Sequence, residues 1–263
     1  MPLTTWGLIM TLQSTKLLPY NMGSASARAL AQELGIRRVY PNRNYRPQEG
    51  HKVINWGRGG SPTWDASIPS WFNKPAYVNR AGNKLLSLRD LEAADVSSIS
   101  YTTDIDKASD WLDEDIPVVV RHQLRGHSGQ GIEMIYDPAR LPEAPLYTKY
   151  QKKTHEYRVH VLPCGKTVLN QKRRRRDVPD EDVNWQVRNY GNGFTYCRDN
   201  VEDNEYVREL GKRAVKALGL DFGAVDIIHH APSDTTMVLE VNTAPGLEGS
   251  LIQSYVESFR SVL

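Results

Sequence analysis

Two stretches decide the reading of this chain: Gly223-Ala224-Val225-Asp226-Ile227-Ile228 and Met237-Val238-Leu239-Glu240-Val241-Asn242. Each is a short apolar run carrying one carboxylate. Between them lies Ala231-Pro232-Ser233-Asp234-Thr235-Thr236, where proline presets one dihedral and Ser and Asp favour local side-chain hydrogen bonds, as turns require. The pattern predicts a β-hairpin centred on Ser233, with Asp226 directly opposite Glu240. Strand side chains alternate between faces, so Glu240 and Asn242 share one face while Leu239 and Val241 share the other. Asp226, Glu240 and Asn242 then converge. Opposed carboxylates on apolar strands repel each other, and a cation removes that cost. Hard oxygen ligands suit Mg²⁺, which keeps several waters and takes further ligands from substrate phosphates. A solvated, idle pair on an exposed edge is the other reading of the same residues.

Outward from the hairpin, strands and helices alternate. Ser24–Leu34 reads as an Ala-rich helix capped by Ser24 and stopped by Gly35. Strands are expected at Val39-Tyr40, Val53–Trp56, Pro117–Val120, Glu133–Tyr136, Leu146–Tyr150, Tyr157–Leu162 and Lys166–Gln171. Helices are expected at Lys84–Ala94, at Tyr206–Leu218 (closed by Gly219) and near Leu251–Val262. The apolar stretch Thr5–Met10 reads as a buried first strand. It has no basic residues before it, so it does not read as a signal peptide. The mixture points to an α+β or α/β protein.

The valine strand runs into Gly126-His127-Ser128-Gly129-Gln130-Gly131. Glycines let backbone N–H groups approach and cradle a phosphate. Gly126 and Gly131 have Walker A spacing, but Ile132-Glu133 stand where Lys and Ser/Thr are required, so this is not a P-loop. A flexible hairpin loop is the other reading, and without further context the one the segment favours. Arg121, at the strand end, could grip a phosphate bidentately, and Lys84, opening a helix after Asn83, could do so as a point charge. Either could instead be a surface cation.

The run Lys172-Arg173-Arg174-Arg175-Arg176 reads as a solvated turn, a nucleic-acid patch, or part of a site. Asp177, Asp180, Glu181 and Asp182 follow at once and weaken the nucleic-acid reading. Because the run ends a strand, its alternate residues should point to opposite faces. His122, His127, His155, His160, His229 and His230 show no zinc spacing and are read as non-ligands.

Composition bounds the rest. A chain of 263 residues suits one large domain or a few small lobes, and needs no disulfide or metal staple. With 33 Lys+Arg against 31 Asp+Glu, a net charge of +2 gives no global polyanion or membrane-surface signature. No apolar run approaches a bilayer span. Cys164 and Cys197 make no framework, and a reducing, cytoplasmic setting is expected.

Taken in order, Asn83-Lys84, Val118–Arg121, Gly126–Gly131, Leu146–Gln151, Glu156–Val159, Lys172-Arg173, Arg188-Asn189, Gly223–Asp226 and Leu239–Gly246 resemble the ATP-grasp superfamily. The similarity spans about residues 79 to 250, and Glu240-Val-Asn-Thr-Ala-Pro-Gly246 with its upstream Asp226 is its most specific part. The branch it most resembles comprises ligases that add amino acids to peptide or protein carboxylates, such as ribosomal-protein glutamate ligases, which in turn resemble glutathione synthetase. The resemblance implies an α+β ATP-grasp fold of three lobes: residues 1–78, a central lobe 79–148 with the glycine loop, and a C-terminal lobe 149–263 with the metal site. ATP would lie between the last two. Lys84 and Arg121 would contact phosphates, and Gly126, Ser128, Gly129 and Gly131 would close over them. Lys149 and Tyr150 would meet adenine at the hinge. Asp226, Glu240 and Asn242 would hold Mg²⁺, as two ions, with Mn²⁺ an alternative. Arg158, Lys172, Arg173 and Arg188 would stabilise the transferred phosphoryl group. Two departures stand out: Arg121 replaces the usual Lys, and the hinge reads Thr148-Lys149-Tyr150-Gln151 rather than Gln-Glu-hydrophobic.

The resemblance implies a carboxylate–amine ligase that works through an acyl phosphate. Its partners would be a small-molecule or peptide carboxylate and an amine such as an amino acid, with no nucleic acid or membrane. A phosphotransferase on the same scaffold, or a binding module using Lys172–Arg176, are the alternatives.

Overall fold

The computed structural model describes residues 14–41, 45–65, 70–126 and 131–263. The expected strand at Thr5–Met10 and the loop residues Ser128 and Gly129 lie outside them. Three sheets occupy successive parts of the chain.

The first sheet is parallel, in the order β2-β1-β3-β4: β1 (Thr15–Pro19), β2 (Arg37–Arg38), β3 (Lys52–Trp56) and β4 (Ser70–Phe72). Helix α1 (Ala25–Leu34) crosses between β1 and β2. Ser24 accepts from the Ala27 N–H, and Gly35 closes the helix in the left-handed region at φ 68°, as its sequence predicts. The second edge strand falls on Arg37–Arg38 rather than Val39-Tyr40. Val39 still donates its N–H to the Leu17 carbonyl at 2.8 Å, so the pairing fades just where the strand was expected to start.

Helices α2 (Pro75–Ala81) and α3 (Lys84–Ala93) follow. The second sheet is antiparallel, ordered β5-β8-β6-β7: β5 (Tyr101–Thr102), β6 (Val118–Arg121), β7 (Ile132–Ile135) and β8 (Leu146–Lys149). Helix α4 (Ile105–Asp113) covers one face, burying Trp111 and Leu112 against Val118, Val120 and Tyr147.

The third sheet is antiparallel, ordered β11-β10-β9-β12-β13: β9 (His155–Val161), β10 (Thr167–Arg174), β11 (Phe194–Cys197), β12 (Gly223–His230) and β13 (Thr235–Asn242). One face packs on helix α5 (Glu205–Ala217), with Val207, Leu210 and Ala214 against Val159, Leu169, Val225 and Val238. Helix α6 (Ser250–Val262) returns to the first sheet, where Tyr255 and Phe259 pack on Leu17, Trp56 and Phe222. The same cluster takes in Leu162 and Leu247, so α6 packs on both the first sheet and residues of the 149–263 stretch. No helix of the described residues is long and apolar enough to cross a membrane.

The hairpin forms as its pattern predicts, with Asp226 opposite Glu240. One detail differs. From the turn, His230 pairs with Thr235 and Ile227 with Val238, a register that would carry Asp226 opposite Leu239; a β-bulge absorbs one residue and restores Glu240. A bulge breaks alternation. Leu239 consequently does not share the Val241 face. It packs with Ile99, Leu146 and Ile228, whereas Val241 packs under α5.

Gly211 lets α5 approach this sheet, because a Cβ there would lie 2.8 Å from Val159 Cγ1. Alanine would add up to about 1 kcal/mol of helix propensity. Overpacking a well-filled core costs about 1–3 kcal/mol. The second effect wins, so Gly211→Ala is expected to lower stability in thermal or denaturant unfolding; a more stable variant would contradict this packing.

Candidate functional site

The uncovered faces of the second and third sheets enclose a cavity of about 810 Å³. Strand alternation decides its lining. On β6 and β8, Val118, Val120 and Tyr147 turn toward α4, which leaves Val119, Arg121 and Thr148 for the cavity. On β9, Tyr157, Val159 and Val161 turn toward α5, which leaves Glu156, Arg158 and His160. Asn170 and Lys172 of β10, Tyr196 of β11, and Asp226, Glu240 and Asn242 of the hairpin join them. One end is apolar, walled by Ile99, Val119, Ile132, Met134, Ile228 and Leu239. The other is densely charged.

Asp226 is 5% exposed and takes a bidentate ion pair from Arg158, Nε at 2.6 Å and Nη2 at 2.7 Å. Burial alone would raise the Asp226 pKa and lower that of Arg158. Their mutual attraction outweighs burial and shifts both the other way, so both stay charged. The Tyr196 hydroxyl also donates to Asp226, at 3.1 Å. Asn242 Nδ2 lies 3.4 Å from both Asp226 Oδ2 and Glu240 Oε1. Glu240 has no salt-bridge partner among the described residues, although Lys84, Arg121 and Arg158 all sense its charge. Two carboxylates and a carboxamide thus meet at one point with Glu240 uncompensated, a donor set that fits a hard divalent cation.

Lys84 caps this corner from α3. Asn83 holds the helix start by accepting from the Leu85 and Leu86 N–H groups, and Lys84 Nζ donates to the Gly126 carbonyl at 3.1 Å. Lys84, Arg121, Gly126, Glu240 and Asn242 line a second cavity of about 420 Å³ that meets the first at Arg121, Glu240 and Asn242. Burial lowers the Lys84 and Arg121 pKa values, and Glu240 opposes this. The buried Arg121 Nε has no hydrogen-bond partner among the described residues.

Lys172 pairs with buried Glu156 and donates to the Arg188 carbonyl at 2.8 Å. Lys153 Nζ lies 3.7 Å from the same carboxylate. Arg188 borders the cavity, tied to the carbonyls of Trp185, Lys153 and Thr154.

The fold as a whole is similar to solved structures. The ATP-grasp ligase PsnB complexed with minimal precursor aligns at a TM-score of 0.66 and 13% identity, covering 94% of this chain and 99% of that one. D-alanine–D-alanine ligase from Bacillus anthracis aligns at 0.62 and 13%, covering 94% and 98%. The macrocyclase MdnC from Microcystis aeruginosa, bound with its precursor peptide MdnA, aligns at 0.62 and 12%, covering 92% and 98%. The chain has the ATP-grasp fold. No protein-family profile matches its sequence, and no curated protein does.

Within this fold, two expected site residues turn away from the cavity. Arg173 lies on the opposite face of β10 from Lys172, bonded to Gln171 and to the carbonyls of Asp199 and Asn200. Lys149 borders the cavity, but its ammonium lies 5.1 Å from the Trp111 ring and 3.9 Å from Glu114, on the α4 side. The same alternation explains both: each follows an inward-facing neighbour, Lys172 or Thr148. Tyr150 stays on the lining. Arg174 and Arg175 pair with Asp180 and Asp177, so the basic run is largely neutralised locally. Sequence reasoning missed Glu156, Asn170 and Tyr196. Glu156 lay inside a quoted motif, two residues from Arg158, and period-2 alternation could have placed it on the same face. It also dismissed His160 as a zinc ligand without placing it in the cavity.

His160 is buried against the Tyr255 hydroxyl, 3.2 Å away, and burial, aided by Arg158, lowers its pKa from 6.5 to about 3. Folded His160 stays neutral where the unfolded side chain protonates. The unfolded chain therefore binds more protons below pH 6.5, and stability falls as pH drops from there toward 3. His160→Gln should flatten this dependence relative to wild type in melts run from neutral to acid pH. Parallel curves would show that His160 protonates freely in the fold.

Proposed function

We propose that this protein is an ATP- and Mg²⁺-dependent carboxylate–amine ligase. One observation carries the reading: an apolar cleft between the second and third sheets ends in a cluster where Arg121, Arg158 and Lys172 face Asp226, Glu240 and Asn242. That is a slot for a base leading to a seat for a charged phosphate chain. The fold's neighbours support it, since PsnB is described in complex with Mg and ADP, and others are ligases by name.

In this reading ATP lies between lobes 79–148 and 149–263, with its base against Val119, Met134, Tyr150 and Leu239. Lys84, Arg121 and the loop from Gly126 to Gly131 hold the phosphates. Asp226, Glu240 and Asn242 hold Mg²⁺, which supplies charge neutralisation at the phosphates. Arg158, Lys172 and Arg188 face the γ-phosphoryl group. A substrate carboxylate oxygen attacks the γ-phosphorus, the bond to the bridging oxygen breaks, and ADP leaves an acyl phosphate. An amine then attacks the carbonyl, phosphate departs and the amine loses a proton, giving an amide. The chain's own part is positioning and charge stabilisation, the usual source of rate in phosphoryl transfer. The carboxylate is a small molecule or a peptide, and the amine is of the amino-acid class.

The test measures ADP and free phosphate release with pooled carboxylates and amines. Glu240→Ala should lower the rate at least about 100-fold, the upper end of what losing a supporting partner costs a metal site. Lys172→Ala should also fail, while Arg173→Ala should stay near wild type. Equal rates in wild type and Glu240→Ala would refute the metal assignment. A phosphorylated product without free phosphate would make the protein a phosphotransferase.

A further inference from the structure

Tyr196 touches three of the charged groups just described, although nothing in its sequence surroundings marks it. Its strand, β11, lies at the sheet edge, and Tyr196 pairs in register with Lys172 of β10. The side chain lies along the sheet face instead of standing away from it. Arg158 Cζ lies 4.2 Å from the ring centroid and Lys172 Nζ 4.9 Å, both within cation–π range. The hydroxyl reaches as far as Asp226 on β12, donating to Oδ1 at 3.1 Å. One rigid side chain therefore spans β10, β9 and β12 and contacts two cations and one carboxylate.

From this geometry we infer that Tyr196 is a positioning residue for the metal and phosphate seat. The inference rests on the ligase reading of that seat. Arg158 already engages both oxygens of Asp226. The hydroxyl adds a third fixed contact, which holds the carboxylate plane so that its Oδ2 edge stays turned toward Asn242 and toward a cation shared with Glu240. The ring supplies a platform that keeps Arg158 and Lys172 side by side despite their like charges, with Arg158 turned onto Asp226 and Lys172 onto Glu156. Hydrogen-bond partners behind a metal ligand act in this way, and losing one costs about 10–100-fold in metal affinity or activity. The alternative is that Tyr196 only fills space.

The two roles separate by calorimetry of ADP binding, with and without Mg²⁺, for wild type, Tyr196→Phe and Tyr196→Leu. Tyr196→Phe keeps the ring and loses only the hydroxyl. It should bind ADP in EDTA as wild type does, melt within about 4 °C of it, and need about 10-fold more Mg²⁺ to enhance ADP binding. Tyr196→Leu should lose further Mg²⁺ enhancement, because the platform goes as well. If either variant lowers the melting temperature while wild-type Mg²⁺ enhancement persists, Tyr196 is a space-filler and the inference falls. If Tyr196→Leu does not fold, Tyr196→Phe alone decides. A wild-type protein whose ADP binding ignores Mg²⁺ overturns the ligase reading of the seat and this inference together, and that failure shows before any substitution is made.

Discussion

A buried carboxylate must be paired, and the cavity face of the third sheet is organised around that constraint. Asp226 is enclosed on a strand whose neighbours are Val225 and Ile227, both fully buried. An ionised group there, left alone, would cost far more than the fold's net stability. Arg158, one strand over and in register, meets the cost with two short bonds. That pair requires further charges in turn. Arg158 needs a face to lie against, which Tyr196 provides, and Lys172 needs the buried Glu156. Polar residues therefore occupy the inward positions of neighbouring strands, while apolar ones occupy the positions under α5.

Such a face is a weak source of stability, because replacing buried ion pairs with apolar residues is often neutral or favourable. It is better understood as pre-organisation. Charges already desolvated and fixed cost little further reorganisation when a charged ligand arrives. Arg121 Nε, Glu156 Oε2 and Asn170 Oδ1, all on the lining of the larger cavity, are buried without a hydrogen-bond partner among the described residues, and Arg121 and Glu240 sit where the two cavities meet. The near-zero net charge of the whole chain conceals this arrangement. Opposed local fields a few residues apart cancel in the sum, as they do again where Arg174 and Arg175 meet Asp180 and Asp177.

Much of the fold was legible locally. The cap of α1, the start of α3 at Asn83 and the two strands and turn of the hairpin each follow from short-range rules that tertiary packing did not override. Elements with weak local signals were missed. β1 reads Thr-Lys-Leu-Leu-Pro, too short and mixed to show a period, yet it is buried throughout because α1 and α6 cover its Leu17 face while Val39, Val53 and Trp64 enclose Leu18. α4 shows clear amphipathicity but sits within a strongly acidic, Ser/Thr-rich stretch that resembles a loop.

By itself the sequence determined which residues could bear the chemistry: a carboxylate pair with an asparagine, a glycine loop, and cations at a strand end and a helix start. These patterns are local, and strand periodicity and turn chemistry act over a few residues. The tertiary structure alone decided which of them meet. The bulge that keeps Asp226 against Glu240 also turns Leu239 into the cavity wall, and no propensity predicts its position. The choice of Lys172 over Arg173, and of Thr148 over Lys149, follows from which sheet face α5 and α4 cover. The recruitment of Tyr196 from an edge strand depends on sheet order. Each is a matter of long-range packing, set by burial across elements distant in sequence, and no short window of sequence carries that information.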